Sequence, residues 1–123
     1  MAASTYNNNG YITRICTEDI PAGARIELSS GGCELADASN EAVGTCEQTM
    51  LSGQPITIRL FNTAGTRFGI ANGAISERAV VYAGASGKLA STSTASATSV
   101  GIALSATSAD GDVLEYLPTS LLG

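Results

Sequence analysis

Residues 25–36, RIELSSGGCELA, and residues 79–90, AVVYAGASGKLA, share one arrangement of apolar positions around a glycine-containing turn. At a constant offset of 54 residues, Ile26 corresponds to Val80 and Leu35 corresponds to Leu89. Short apolar stretches on both sides of a glycine turn are typical of a β-hairpin. The repetition predicts that one β unit occurs twice in the chain.

The similarity continues downstream, where residues 43–60, VGTCEQTMLSGQPITIRL, resemble residues 100–117, VGIALSATSADGDVLEYL. Val-Gly opens both segments at an offset of 57, and a later glycine recurs at an offset of 58. We therefore predict two similar β units, at about residues 20–60 and 74–118. Packed together, they favour an all-β fold, either a small barrel or a sandwich with few exposed edges.

Local patterns also favour the all-β class. The run ITIRLF places Ile56, Ile58 and Leu60 on one face of a strand, and RIEL alternates Ile26 and Leu28 with charged residues. Asn-Gly at residues 9–10 and 72–73 and Asp-Gly at residues 110–111 are strong signals for tight turns. Helix signals are confined to one or two turns in residues 37–43 and 118–123.

Composition limits the domain organisation and the classes of partner. With 123 residues, we predict an extended N-terminal arm over residues 1–15 and a single β domain over residues 16–123. A net charge of -5 and six scattered Lys and Arg residues argue against nucleic-acid binding. Because the chain starts with neither a basic nor an apolar run and has no long apolar stretch, we expect no signal peptide and no membrane insertion.

Two loops resemble ligand-binding motifs without completing them. Residues 82–88, YAGASGK, lack the first glycine and the final hydroxyl residue of a phosphate-binding loop. Lys88 aligns with Glu34 of the first unit, which indicates a solvated turn position. Residues 109–113, ADGDV, lack the remaining oxygen ligands of a calcium loop and favour a hairpin turn.

The reactive side chains form no recognisable catalytic or metal-binding pattern. Cys16, Cys33 and Cys46 are widely spaced in a chain without histidine, which favours reduced thiols over a metal site, with one chance disulfide as the alternative. We interpret Glu18, Asp19 and Glu115 as surface carboxylates; only their convergence in a cleft, or that of Asp110 and Asp112, would favour a hydrolase. We expect no catalytic, cofactor-binding or metal-binding residue, and no enzymatic activity.

The first fifteen residues, MAASTYNNNGYITRI, lie outside both predicted units. One interpretation is a frayed terminus. The other is an arm that orders on a partner and adds a strand to the partner's sheet, with Tyr6, Tyr11 and Ile12 as anchors.

Residues 73–118, GAISERAVVYAGASGKLASTSTASATSVGIALSATSADGDVLEYLP, resemble the C-terminal half of the capsid decoration, or cement, proteins of tailed bacteriophages. In that family, a segment ending in A-V-Y leads to a Gly-Lys-Leu-type turn and a Ser/Thr-rich loop. V-G-I-A, an alanine-rich stretch with G-D and a closing strand follow. Residues 20–28, IPAGARIEL, are similar more loosely.

The resemblance implies a structural virion protein that is made in the host bacterial cytoplasm and binds the outer capsid surface. Such a protein bridges neighbouring major capsid protein subunits as a homotrimer, or alternatively as a dimer, and needs no cofactor. The candidate capsid-contact residues then lie in the arm: Tyr6, Asn8, Tyr11, Ile12 and Arg14. An alternative is a β-rich ligand- or glycan-binding module on a virion or cell surface, although the aromatic content of 5% weakens it.

Overall fold

The computed structural model describes residues 10–38, 42–92 and 99–119, and its regular structure is almost entirely β. The all-β class that the sequence predicts is confirmed. The first five strands are β1 Tyr11–Ile15, β2 Arg25–Ser29, β3 Gly32–Leu35, β4 Gly44–Cys46 and β5 Pro55–Leu60. The next five are β6 Arg67–Asn72, β7 Val80–Ala83, β8 Leu89–Ala90, β9 Ser99–Ala103 and β10 Asp110–Pro118.

The ten strands form two units with the same topology. Strands β1 to β5, here called the first unit, form a sheet in the order β1-β5-β4-β2-β3. Strands β6 to β10, the second unit, form a closed barrel in the order β10-β6-β8-β7-β9. The barrel closes where β6 pairs with β8 in parallel, at Ala71 and Leu89. A parallel bridge between Cys16 and Cys33 links the β1 and β3 ends of the first sheet in the equivalent place.

The pairing register also repeats from one unit to the other. Gly44 lies opposite Leu60, as Gly101 lies opposite Pro118. Ile26 lies opposite Gly44, as Val81 lies opposite Gly101. The same relation makes Arg25, Thr45 and Arg59 equivalent to Val80, Ile102 and Leu117, since each set forms one row across three neighbouring strands. The constant offset of 54 predicted from the sequence was therefore wrong: Val80 corresponds to Arg25 rather than Ile26, and Leu89 corresponds to Cys33 rather than Leu35. Lys88 and Glu34 are consequently not equivalent, because strand pairing and not the spacing of apolar residues sets the register.

The repeated Val-Gly pair has a steric cause in this register. A Cβ atom on Gly44 would lie 2.2 Å from the Arg59 carbonyl oxygen, and one on Gly101 would lie 2.3 Å from the Leu117 carbonyl oxygen. Both distances are far below van der Waals contact, so glycine is required where these paired strands approach closely.

Each unit has a separate small core. The core of the first unit consists of Cys16, Ile20, Ala24, Ile26, Cys33, Cys46, Ile56 and Ile58. The core of the second unit consists of Ala71, Ile75, Val81, Leu89, Ala103, Leu114 and Tyr116. Both cores are built largely from small and β-branched residues, which suit the narrow space enclosed by five strands.

Three local predictions need comment. RIEL belongs to strand β2 as its alternation predicts, but burial does not follow that alternation. Arg25 is only 1% exposed because packing between the units covers it, whereas Leu28 is 44% exposed. Residues 10–15 of the predicted arm form the start of the first sheet, since β1 pairs with β5 along its whole length. The helix signals at residues 37–43 and 118–123 fall partly outside the described residues.

Candidate functional site

The two units meet around the buried guanidinium of Arg25. Its Nη2 donates to the Gly84 carbonyl at 2.7 Å, and its Nε donates to the Lys88 carbonyl at 3.2 Å. From the other side, the Gly87 amide donates to the Ala36 carbonyl at 2.8 Å. Burial lowers the pKa of Arg25. A buried cation that bonds backbone carbonyls on a second unit fixes the two units against each other.

Two further arginines hold the connecting segment of residues 61–66. Arg59 donates to the Ala64 carbonyl at 2.5 Å and to the Thr66 carbonyl at 3.2 Å. Arg67 donates to the Leu60 carbonyl at 2.7 Å and to the Thr63 hydroxyl at 2.6 Å. Burial also lowers the pKa of Arg67. The connection between the units is therefore tightly hydrogen bonded.

The outward side of the second unit presents a row of apolar side chains. Val80 on β7, Ile102 on β9 and Leu117 on β10 lie directly opposite one another across the three strands. Along β10, Leu114 and Tyr116 point into the core, whereas Val113 and Leu117 are 60% and 42% exposed. Leu104 lies in the next row, where its amide donates to the Glu115 carbonyl at 2.8 Å. We name Val80, Ile102, Leu104, Val113 and Leu117 the outer apolar face.

One carboxylate interrupts this surface. Glu115 lies between Leu104, the residue after β9, and Phe68 on β6, and its Oε2 accepts a hydrogen bond from the Thr66 hydroxyl at 2.7 Å. Beyond it, Val113 lies opposite Ile70 of β6. The exposed side of four adjacent strands is therefore mainly apolar, and it is a candidate interaction surface.

The sequence-predicted contact residues lie elsewhere. Tyr11, Ile12 and Arg14 belong to β1, at the edge of the first unit, and pair with Arg59, Ile58 and Ile56 of β5. The side chain of Ile12 packs against the first core, whereas Tyr11 and Arg14 are exposed. Tyr6 and Asn8 lie outside the described residues. The outer apolar face was not recognised from the sequence. Two of its residues, Val113 and Leu117, belong to the apolar segment VLEYLP, residues 113–118, and are exposed in the structure.

The glycine–lysine segment forms a turn between two strands. Residues Ala85–Gly87 make one 3-10 turn, with Ser86 and Gly87 at positive φ, and β8 follows it. A phosphate-binding loop instead leads into a helix whose amino end faces the phosphate. Lys88 Nζ contacts Asp110 Oδ1 at 2.8 Å.

The acidic side chains accept hydrogen bonds from different parts of the backbone. Glu18 accepts from the Leu35 amide at 3.0 Å, and Asp19 accepts from the Ser52 amide at 2.9 Å, both in the first unit. Asp112 lies in the second unit, where hydrogen bonds from Ser108 and Ala109 lower its pKa. Each carboxylate bonds a backbone group near it, and the three positions do not share one cluster of contacts.

The three thiols are buried in the first core and unpaired. Burial raises the pKa of each thiol, that of Cys33 to about 11. Within residues 10–38, 42–92 and 99–119, no group of three or more cysteine or acidic side chains is arranged to hold a metal ion. A shallow depression of about 240 Å³ on the first unit is lined by Glu47, Gln48, Ile56 and Thr57, a set without an aromatic ring.

Comparison with known proteins establishes the fold. No family model matches the chain, and no curated protein matches it. The fold is similar to that of the head fiber gp8.5 N base in bacteriophage phi29, a crystal structure, with a TM-score of 0.75. The similarity covers 89% of this chain and 92% of that chain at 15% sequence identity. In the part of the chain that the structure describes, no helix has the length and apolar character needed to cross a bilayer.

Proposed function

We propose that this chain is a structural protein of a bacteriophage virion that binds the outer surface of the capsid. The observation that carries the proposal is the fold, which is similar to that of the head fiber gp8.5 N base in bacteriophage phi29. The resemblance of residues 73–118 to capsid decoration proteins points to the same class of particle.

The proposed mechanism is bridging of neighbouring major capsid protein subunits by a homo-oligomer, with a trimer favoured over a dimer. Several weak contacts, each to a different coat subunit, act together because the second contact of a bound oligomer is intramolecular. Arg25, Arg59 and Arg67 support this role, because their hydrogen bonds to backbone carbonyls hold the two units and the connecting segment together. A rigid pair of units transmits force between the coat subunits that it joins. The proposal involves no cofactor and no chemical step.

Purified protein mixed with capsids of its own phage that lack it tests the proposal directly. We expect ordered density at symmetry-related positions on the outer capsid surface, seen by cryo-electron microscopy. Capsids that remain bare at saturating protein would refute capsid binding.

The predicted contact residues are tested in the same experiment. Tyr11→Ser and Arg14→Glu change exposed side chains on β1 and should lower capsid occupancy. Leu51→Ser is the control, because Leu51 is 58% exposed in a turn of the same unit. Equal occupancy in all three variants would exclude β1 as the contact while leaving capsid binding intact.

A further inference from the structure

We propose that the outer apolar face of the second unit is the surface through which copies of this chain associate with one another. This deepens the dimeric alternative of the proposed function, because two like faces meet about a two-fold axis, and it does not depend on capsid binding. The face consists of Val80, Ile102, Val113 and Leu117 on the adjacent strands β7, β9 and β10, together with Leu104, the residue that follows β9.

The first unit provides an internal control for this face. At the equivalent positions it carries Arg25, Thr45, Glu47, Pro55 and Arg59. The same strand register is therefore compatible with charged and polar residues at these positions. Since folding of the unit does not demand apolar side chains here, those of the second unit are explained by contact with something outside it.

The first unit also shows what packs on this face. Its row of Arg25, Thr45 and Arg59 is covered by the second unit and the segment leading into it. Arg25 donates to Gly84 and Lys88, and Thr45 between the two arginines is 1% exposed. In this chain, the face is thus a packing surface for another unit of the same fold.

The occupant that fits the second unit is another copy presenting an apolar surface. Val80, Ile102 and Leu117 have no donors for backbone carbonyls, so the arginine-to-carbonyl contact of the first unit cannot form here. The outer apolar face of a second copy supplies matching apolar atoms. Each copy carries a net charge of -5, but the five residues of the face are uncharged, and the neighbouring Glu115 carboxylate accepts a hydrogen bond from Thr66.

The dimensions of the face set the strength of the association. Three strands at about 4.8 Å spacing and five residues at about 3.4 Å per residue give a footprint of roughly 250 Å². A stable dimer buries about 800 Å² per partner, so we expect weak, reversible self-association in the micromolar to millimolar range. On a capsid, such contacts would be strengthened by the common attachment of the copies.

Sedimentation equilibrium of the full chain at about 10 to 500 µM tests the proposal. We expect the apparent mass of the wild type to rise above 12.4 kDa with concentration. Leu117→Glu and Val113→Glu should each raise the dissociation constant by about tenfold or more, because they place a charge in a desolvated contact. Leu51→Glu makes the same change at a position that is 58% exposed on the first unit and should leave the constant unchanged. Circular dichroism verifies that all four proteins are folded.

Three results would overturn the proposal. The wild type could sediment as a monomer throughout the range, or the Leu51→Glu control could weaken association as much as Leu117→Glu. A monomeric wild type whose capsid binding is lost in Leu117→Glu would assign the face to the coat protein instead. Because sedimentation uses no capsids, failure of capsid binding alone refutes the proposed function and leaves this measurement unaffected.

Discussion

Replacement of Gly101 or Gly44 by alanine is the sharpest test of the repeated strand register. The two glycines occupy equivalent positions, each opposite the end of the closing strand of its unit. An alanine Cβ at Gly101 would lie 2.3 Å from the Leu117 carbonyl oxygen and 3.0 Å from its carbon. Backbone atoms rather than a flexible side chain form this contact, so the strands themselves must separate.

The magnitude follows from the separation required. A contact of 2.3 Å must lengthen by about 0.7 Å or more before carbon and oxygen are tolerated. The neighbouring hydrogen bond from the Thr119 amide to the Val100 carbonyl is 3.1 Å long, and a comparable shift would break it. Overpacking of about 1–3 kcal/mol and a lost hydrogen bond of about 1 kcal/mol give a loss of roughly 2–4 kcal/mol.

Urea denaturation followed by far-ultraviolet circular dichroism measures this loss. We expect Gly101→Ala and Gly44→Ala to lower the free energy of unfolding by similar amounts, and to lower Tm by roughly 8–20 °C. Gly73→Ala is the control, because no atom lies within 4 Å of a Cβ placed there. Its free energy should change by less than about 0.5 kcal/mol.

The reasoning would be refuted if Gly101→Ala were as stable as the wild type. A large loss at Gly44 with none at Gly101 would show that the two positions are not equivalent. A loss of similar size in Gly73→Ala would trace the effect to the glycine backbone in general, rather than to the close approach of two strands.

Three other predictions concern buried groups. Arg25→Met should lower the free energy of unfolding, measured in urea titrations, by about 2–4 kcal/mol, because two carbonyls lose a charged donor. A change below about 1 kcal/mol would contradict the role of Arg25 between the units. Burial raises the pKa values of Tyr116 and Cys33, so the folded state retains protons that the unfolded state releases at high pH. The free energy of unfolding should therefore fall above about pH 9, by up to about 1.4 kcal/mol per pH unit for each group. A urea midpoint that stays constant from pH 8 to about pH 11 would exclude this linkage. At neutral pH, the thiols of Cys16, Cys33 and Cys46 should react slowly with a disulfide reagent in the folded protein and rapidly in urea. Fast labelling of the native state would contradict their burial.

Several features of the fold could be predicted from the sequence because they depend on local chemistry. Alternation in ITIRLF correctly placed Ile56 and Ile58 in a core, since strand side chains alternate between faces. The positive φ of Gly31, Gly87 and Gly111 explains why glycine marks the turns. These signals sufficed for the all-β class.

The candidate site could not be predicted in the same way. Whether an outward residue is covered depends on which unit packs against it, and alternation carries no information about that contact. Arg25 and Val80 illustrate the difference, because they are equivalent in register yet are 1% and 36% exposed. For the same reason, the contact residues predicted from the sequence included Tyr11 and Arg14 and none of the outer apolar face.

The sequence by itself determined the all-β class, the positions of turns and the recurrence of the Val-Gly pair. These follow from backbone preferences and from the two-residue period of strands. Only the tertiary structure decided that Gly44 and Gly101 allow paired strands to approach closely, that Arg25 joins the two units, and that Leu117 and its neighbours remain exposed. The physical reason is that close approach and burial are set by residues far apart in the chain, which meet only when the strands pair and the units pack.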